Sequence, residues 1–296
     1  MNSLAEQQGN SIHVPPQWKK VDITDLGETM MIIGAPDTGK STFARYLFQR
    51  LLERYPRVGF LDCDVGQSSL GLPTTMNLVL ATPGTPDKPA VNAKLSYFVG
   101  ATSPRGHMLP VVVGAHKLQR RAQQWGVAAL VVDTTGLVDR LAGGGALKQW
   151  KIEILEPSTI FAFARGMELE HILWPRRRDP RVRVIELPVP QAVKERSRER
   201  RISYRAEKWQ EYFAQAATLE LPLQRFTVFG LEAMAPGRLL ALQDMDGFAL
   251  GLGVIWRYDS SAQMLTVRTP LTSLEGVVSI RLGSLRLDPV TGREIY

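Results

Sequence analysis

One stretch carries the densest chemistry in the chain: Gly34-Ala35-Pro36-Asp37-Thr38-Gly39-Lys40-Ser41-Thr42. It fits G-x-x-x-x-G-K-[ST]. That spacing lets successive backbone N–H groups and a helix N-terminus surround phosphate oxygens, with Lys40 reaching the β- and γ-phosphates and the Ser41 hydroxyl a Mg²⁺ ion. The apolar run before it, residues 29–33, reads as a buried strand. After it, Phe43, Tyr46, Leu47 and Leu51 recur at helical spacing. Strand, glycine loop and helix in that order point to a nucleoside triphosphate. They leave the acceptor of any phosphoryl group open.

Other residues of chemical interest stand where strands end. Asp62 and Asp64 close the strand at residues 57–62. Two carboxylates one residue apart point to opposite faces, and Asp64, followed by Gly66 and Gln67, is expected to face the phosphates, holding Mg²⁺ or accepting a proton. Asp133-Thr134-Thr135-Gly136 ends the continuous apolar run at 127–133 and reads either as a second metal or phosphate corner or as an ordinary strand exit. Thr102, just past Gly100, has the same two readings. A helix over 191–215 puts Lys194, Arg198, Arg201 and Arg205 on one stripe. That stripe is either a guanidinium cover for the transferring phosphoryl or a solvated basic face paired with Glu195, Glu199 and Glu207. The histidines show no metal spacing. Trp125, Trp150, Trp174 and Trp256 could stack on bases but are expected in the core.

These residues need a scaffold. Further strands are expected at 95–100, 159–164 and 182–187, with helices at about 114–125 and 144–153. Strands alternating with helices call for a mostly parallel α/β sheet covered on both faces, with ligands at the strands' carboxyl ends. Residues 12–28 read as a short lead-in with room for one edge strand, 68–77 as a loop, and the Pro-rich 82–92 as a surface excursion. Beyond Leu219, short alternating segments broken by Gly, Pro and Asp-Gly indicate a small barrel or sandwich. The fold class is therefore α/β: a P-loop NTPase domain plus a small C-terminal all-β domain. The expected divisions are a tail and lead-in at 1–28, a kinase-type domain at 29–217 and a β domain at 218–296. Among the 296 residues there is a single cysteine, Cys63, which excludes an internal disulfide and suits the cytoplasm. No apolar run is long enough for a membrane span. The net charge of +7 is concentrated around residues 176–183 and 194–201, the footprint of a polyanionic partner.

Taken together, the P-loop with its internal Asp37, Asp64-Val65-Gly66-Gln67, Gly100-Ala101-Thr102-Ser103-Pro104, Thr134-Thr135-Gly136, and Glu195-Arg196-Ser197 with Arg201, Arg205 and Glu211-Tyr212-Phe213 resemble the polynucleotide 5′-hydroxyl kinases related to the RNA kinases of pre-mRNA cleavage and pre-rRNA processing. The resemblance spans about residues 14 to 215. It implies ATP- and Mg²⁺-dependent phosphorylation of RNA or DNA 5′ ends. Lys40 would bind phosphate, Ser41, Thr102 and Asp64 would serve the metal, and Asp64 would be the general base. Gln67, Thr134, Thr135, Gly136 and Arg198 would meet the substrate, and Arg201 and Arg205 would close over the phosphates. Two departures stand out: Leu137 occupies the place of the family's base-stacking Trp, and only a short lead-in precedes the P-loop. The competing readings are an ATP-bound, non-catalytic scaffold of the same fold in a nucleic-acid processing complex with protein partners, a small-molecule kinase, and a GTPase. The last lacks its N-K-x-D motif: none of Asn2, Asn10, Asn77 or Asn92 begins one.

Overall fold

The computed structural model describes residues 14–85, 88–288 and 290–295. Residues 1–13, which hold the expected tail and the first two residues of the lead-in, lie outside them. Near the start of the described residues is a short helix α1 (Pro16–Lys19), where an edge strand had room to form. Its Trp18 is buried against Phe43, Tyr46 and Phe163, so the lead-in is part of the core.

A seven-stranded sheet follows, in the order β4-β3-β2-β5-β1-β6-β7. Its strands are β1 (Thr29–Gly34), β2 (Val58–Asp62), β3 (Thr75–Thr85), β4 (Lys88–Phe98), β5 (Ala129–Asp133), β6 (Thr159–Ala164) and β7 (Arg183–Pro188). β2, β5, β1, β6 and β7 run parallel. β3 and β4 form an antiparallel hairpin on the edge. Residues 68–74 form the expected loop, but the hairpin takes over its last residues, 75–77, and the excursion expected at 82–92, of which residues 86 and 87 lie outside the described residues. Proline is tolerated at both places: Pro83 lies past Ala81, the last β3 residue paired with β2, in an irregular part of the β3–β4 register, and Pro89 is on the edge strand β4.

Alternation along the central strands supplies two cores. Met30 and Ile32 face helix α2 (Lys40–Leu52) with its Phe43, Leu47 and Leu51. Met31 and Ile33 face helices α3 (Met108–Gln124), α4 (Gly144–Leu155) and α5 (Glu170–Arg176). Helix α5, short and interrupted by Pro175, left no helical period to read in the sequence.

Helix α6 (Arg198–Phe213) starts at Ser197, whose side chain caps the Arg200 N–H at 3.2 Å. It is shorter than the helix expected at 191–215, and Lys194 precedes it rather than sharing its stripe. Its buried Trp209 and Phe213 pack on a second sheet, in the order β14-β13-β10-β11-β12-β8. That sheet comprises β8 (Ala217–Pro222), β10 (Arg238–Gln243), β11 (Ala249–Asp259), β12 (Met264–Thr269), β13 (Ser279–Leu287) and β14 (Glu294–Ile295), with β9 (Thr227–Phe229) pairing alongside β13. The two sheets meet at Gly100, whose carbonyl accepts from the Ser284 and Leu285 N–H groups at 2.9 and 3.1 Å. Among the described residues no helix is long and apolar enough to cross a membrane.

Candidate active site

β1 delivers the phosphate loop and α2 leaves it at Lys40. The loop closes on itself: Thr38 Oγ1 donates to the Ala35 carbonyl at 3.0 Å, and Lys40 Nζ donates to the same oxygen at 2.5 Å. Burial lowers the Lys40 pKa, while Asp133 and Asp64 pull against that shift. Asp37 takes a left-handed φ of 52°. Its carboxylate accepts from Arg201 Nη2 at 2.5 Å and from the Arg196 N–H at 3.1 Å. Burial alone would raise its pKa; the Arg196 amide and the Arg201 guanidinium outweigh it and hold the group low. From the far side, Arg165 Nη2 donates to the Asp37 carbonyl at 2.5 Å.

The three carboxylates at the strand ends have separate environments. Asp62 is buried and accepts from Ser68 Oγ at 3.0 Å and from the Ser69 N–H at 2.7 Å, so it pins the following loop. Burial and the nearby Asp64 push its pKa up. Asp64 lines the cleft; its Oδ1 accepts from the Gly66 and Gln67 N–H groups at 2.9 and 3.0 Å, which fixes the carboxylate while Oδ2 accepts nothing among the described residues. Asp133 stands one strand away from the phosphate loop, in register with Ile32. Its buried Oδ1 has no hydrogen-bond partner among the described residues. Burial first, then Asp62, pushes Asp133 up to about 7, against the pull of Ser41 and Lys40.

Two glycines let the loops close around this point. A Cβ on Gly66 would lie 2.7 Å from the Thr102 carbonyl, and one on Gly136 2.6 Å from the Pro36 nitrogen. Backbone atoms cannot yield at such distances, so glycine is required at both. The loop after β5 is held from behind by Lys148 on α4, which donates to Thr134 Oγ1 at 2.9 Å and to the Thr135 carbonyl at 2.5 Å. Lys148 is fully buried; burial, then Lys151 and Lys40, drives its pKa well below the usual lysine value.

α6 closes the top. Arg201 reaches Asp37, while its backbone carbonyl accepts from Gln67 Nε2 at 3.3 Å and Tyr204 Oη donates to the Ser68 carbonyl at 2.9 Å. Arg205 is bonded to the buried Glu294 of β14. It therefore anchors the helix to the second sheet, and its guanidinium, although it lines the cleft, is already paired with a carboxylate.

A single cleft of about 1440 Å³ gathers nearly all of the sequence-derived site: residues 35–42, Asp64, Gln67, Thr102, Thr135, Gly136, Arg198, Arg201 and Arg205 all line it. Gly34 and Thr134 do not. Gly34 packs under the loop against Phe163, and the Thr134 hydroxyl donates to the Ile32 carbonyl at 2.7 Å, which removes it from the substrate-facing set. The sequence gives no signal for Lys148 or Arg165, names Arg196 only as part of the lid motif, and leaves Asp133 with two readings. For Asp133 the signal was its position at the end of a buried strand; a lysine on a helix gives none. Trp150, Trp174 and Trp256, expected in the core, are exposed.

The model of the mRNA cleavage and polyadenylation factor CLP1 P-loop family matches residues 34–215. A polyribonucleotide 5′-hydroxyl-kinase of Pyrococcus abyssi is 29% identical over 91% of this chain and 90% of its own. One from Methanocaldococcus jannaschii is 28% identical over 88% and 87%. A wild-type Clp1p–Pcf11p complex contains a chain that superposes with a TM-score of 0.66 at 12% identity, covering 91% of this chain and 77% of that one, a likeness of fold. With a match across more than half its length, and with phosphate loop, Asp64, Thr102 and lid converging on one cleft, this chain belongs to the CLP1 P-loop family.

Proposed function

We propose that this protein is an ATP-dependent polynucleotide 5′-hydroxyl kinase. The observation that carries this reading is the single cleft in which a fixed, half-free Asp64 carboxylate faces a phosphate loop closed over by an arginine-bearing helix. The relatives' names supply the acceptor class, the 5′-hydroxyl of RNA; DNA ends are the second candidate.

The residues present fit Mg²⁺. The orphaned, buried Oδ1 of Asp133 beside the Ser41 hydroxyl is an oxygen pair that a hard cation would satisfy. Ser41, Thr102 and Asp64 would hold the ion, directly or through water, with Asp133 behind Ser41. When bound, the ion would neutralise charge on the β- and γ-phosphate oxygens. Lys40 leaves the Ala35 carbonyl to pair with those oxygens. Asp64 accepts the proton of the 5′-hydroxyl as its oxygen forms the new bond to the γ-phosphorus and the bond to the β,γ-bridging oxygen breaks, leaving ADP. Arg201, released from Asp37, covers the equatorial oxygens, with Arg198 at the cleft edge. Gln67, Thr135 and Gly136 hold the nucleotide end. The cytoplasm suits the buried, free Cys63.

The test is transfer of label from γ-labelled ATP to 5′-hydroxyl RNA and DNA oligonucleotides. Labelled 5′ ends are expected; ATP binding without transfer to either acceptor would favour the scaffold reading instead.

A further inference from the structure

The basic run at residues 176–183 is only partly available to a partner. Arg176 pairs with Glu153 and Asp179, Arg177 with Glu170 and Glu186, and Arg181 with Asp179. Among the described residues neither Arg178 nor Arg183 has a carboxylate ion-pair partner; Arg183 donates to the Asp25 carbonyl, whereas the Arg178 guanidinium lies 4.7 Å from the centroid of the Trp174 ring. Trp174 is 58% exposed, as Trp150 and Trp256 also are to a similar degree, but among the described residues it alone of these carries a guanidinium over its ring. The pair forms a flat, cationic, solvent-facing platform.

Its placement ties it to the cleft. Trp174 stands three and four residues beyond His171 and Glu170, on the same stripe of α5, and both of those line the cleft. At that rim Leu141 and Met167 also line the cleft and are 100% and 75% exposed. The loop after β5 offers Leu137 where a ring could have stacked on a base. Exposed apolar side chains on the cleft, and an exposed indole with its guanidinium on a helix that lines the same cleft, have the chemistry that single-stranded nucleic acid uses: π-faces for unpaired bases and a positive charge for the backbone.

We propose that Trp174 and Arg178 form a stacking platform for nucleotides downstream of the 5′ end, so that the acceptor strand leaves the cleft past Leu141 and Met167 and is gripped on α5. This inference rests on the 5′-kinase reading for its ligand and extends it from the terminal nucleotide to the strand. It makes acceptor length a determinant of affinity.

The experiment measures binding of a 3′-labelled 5′-hydroxyl single-stranded RNA of about twelve nucleotides by fluorescence anisotropy. In parallel, the KM for that RNA is compared with the KM for a 5′-hydroxyl dinucleotide. Trp174→Ala and Arg178→Glu are each expected to weaken RNA binding about 5–10-fold, Trp174→Phe to restore most of it, and the alanine variant to shrink the KM advantage of long over short acceptor by a similar factor. RNA binding by Trp174→Ala equal to wild type would overturn the proposal, as would equal losses for both acceptor lengths, which would place the indole's effect inside the cleft. Trp174-dependent binding in a wild-type protein that phosphorylates neither acceptor would uphold the platform and refute the kinase reading.

Discussion

Lys148 shows how much of this site is set by groups that touch no ligand. A fully buried ammonium is costly, and its pKa is driven far down accordingly. It persists because its Nζ satisfies the Thr135 carbonyl and Thr134 Oγ1, which would otherwise be buried without a donor. Replacing it with methionine keeps the volume and removes the donor. Lys148→Met is expected to cost about 1–3 kcal/mol, read as a lower midpoint in denaturant, and to raise the KM for the acceptor more than that for ATP because the Thr135–Gly136 loop loses its backing. A KM for acceptor unchanged from wild type would show that the loop needs no such support. A lysine on an amphipathic helix reads as solvent-facing, so nothing in the sequence pointed to this role. By contrast, the phosphate loop and Asp64 were legible, because motif spacing and strand-end position are local properties. Asp133 was half legible: its place at a strand end was visible, but its burial beside Ser41 depends on which strands are neighbours.

At the level of elements, the lid helix depends on where it starts. Its charged run extends back to Lys194, and charge pattern alone suggested a helix from residue 191. The helix instead begins after Ser197, where the hydroxyl meets an N–H that the first turn leaves unpaired. The preceding segment, freed from the helix, lets Arg196 donate its backbone N–H to Asp37. Ser197→Ala is expected to destabilise the helix end by about 1 kcal/mol, seen as faster proteolytic cleavage near residues 194–200 with the midpoint of global unfolding little changed. Cleavage at the wild-type rate would show that Asp37 alone holds the segment. Of the β3–β4 hairpin only the end of β4 was legible: proline and glycine around 82–92 read as loop, whereas beyond the last β2–β3 pair and on the edge strand both are compatible with a strand.

Across the whole molecule, the second sheet does more than follow the first. It beds α6 through Trp209 and Phe213, and β14 sends Glu294 to Arg205. The arginine stripe read from the sequence thus divides its labour: Arg201 faces the phosphate loop, and Arg205 is the tether. With side chains exposed by only 11% and 3%, Arg205 and Glu294 form a buried pair, and removing one partner strands the other. Glu294→Ala is expected to cost about 3–5 kcal/mol and to lower phosphoryl transfer by loosening the lid, measured by thermal unfolding together with initial rates. A stable variant with full activity would show that the second sheet does not govern the lid. The β texture beyond Leu219 was legible from its alternation; that its last strand reaches back to the lid was not, because the pairing spans most of the α6–β14 sequence.

The central claim is that Asp64 takes the proton from a polynucleotide 5′-hydroxyl. The direct measurement is single-turnover transfer from γ-labelled ATP to a 5′-hydroxyl RNA by wild type and Asp64→Asn, with ATP affinity measured alongside. The amide can still accept from the Gly66 and Gln67 N–H groups, so the loop is expected to keep its shape and ATP its affinity, while the rate falls about 10²–10⁴-fold. Transfer by Asp64→Asn at the wild-type rate would contradict the account.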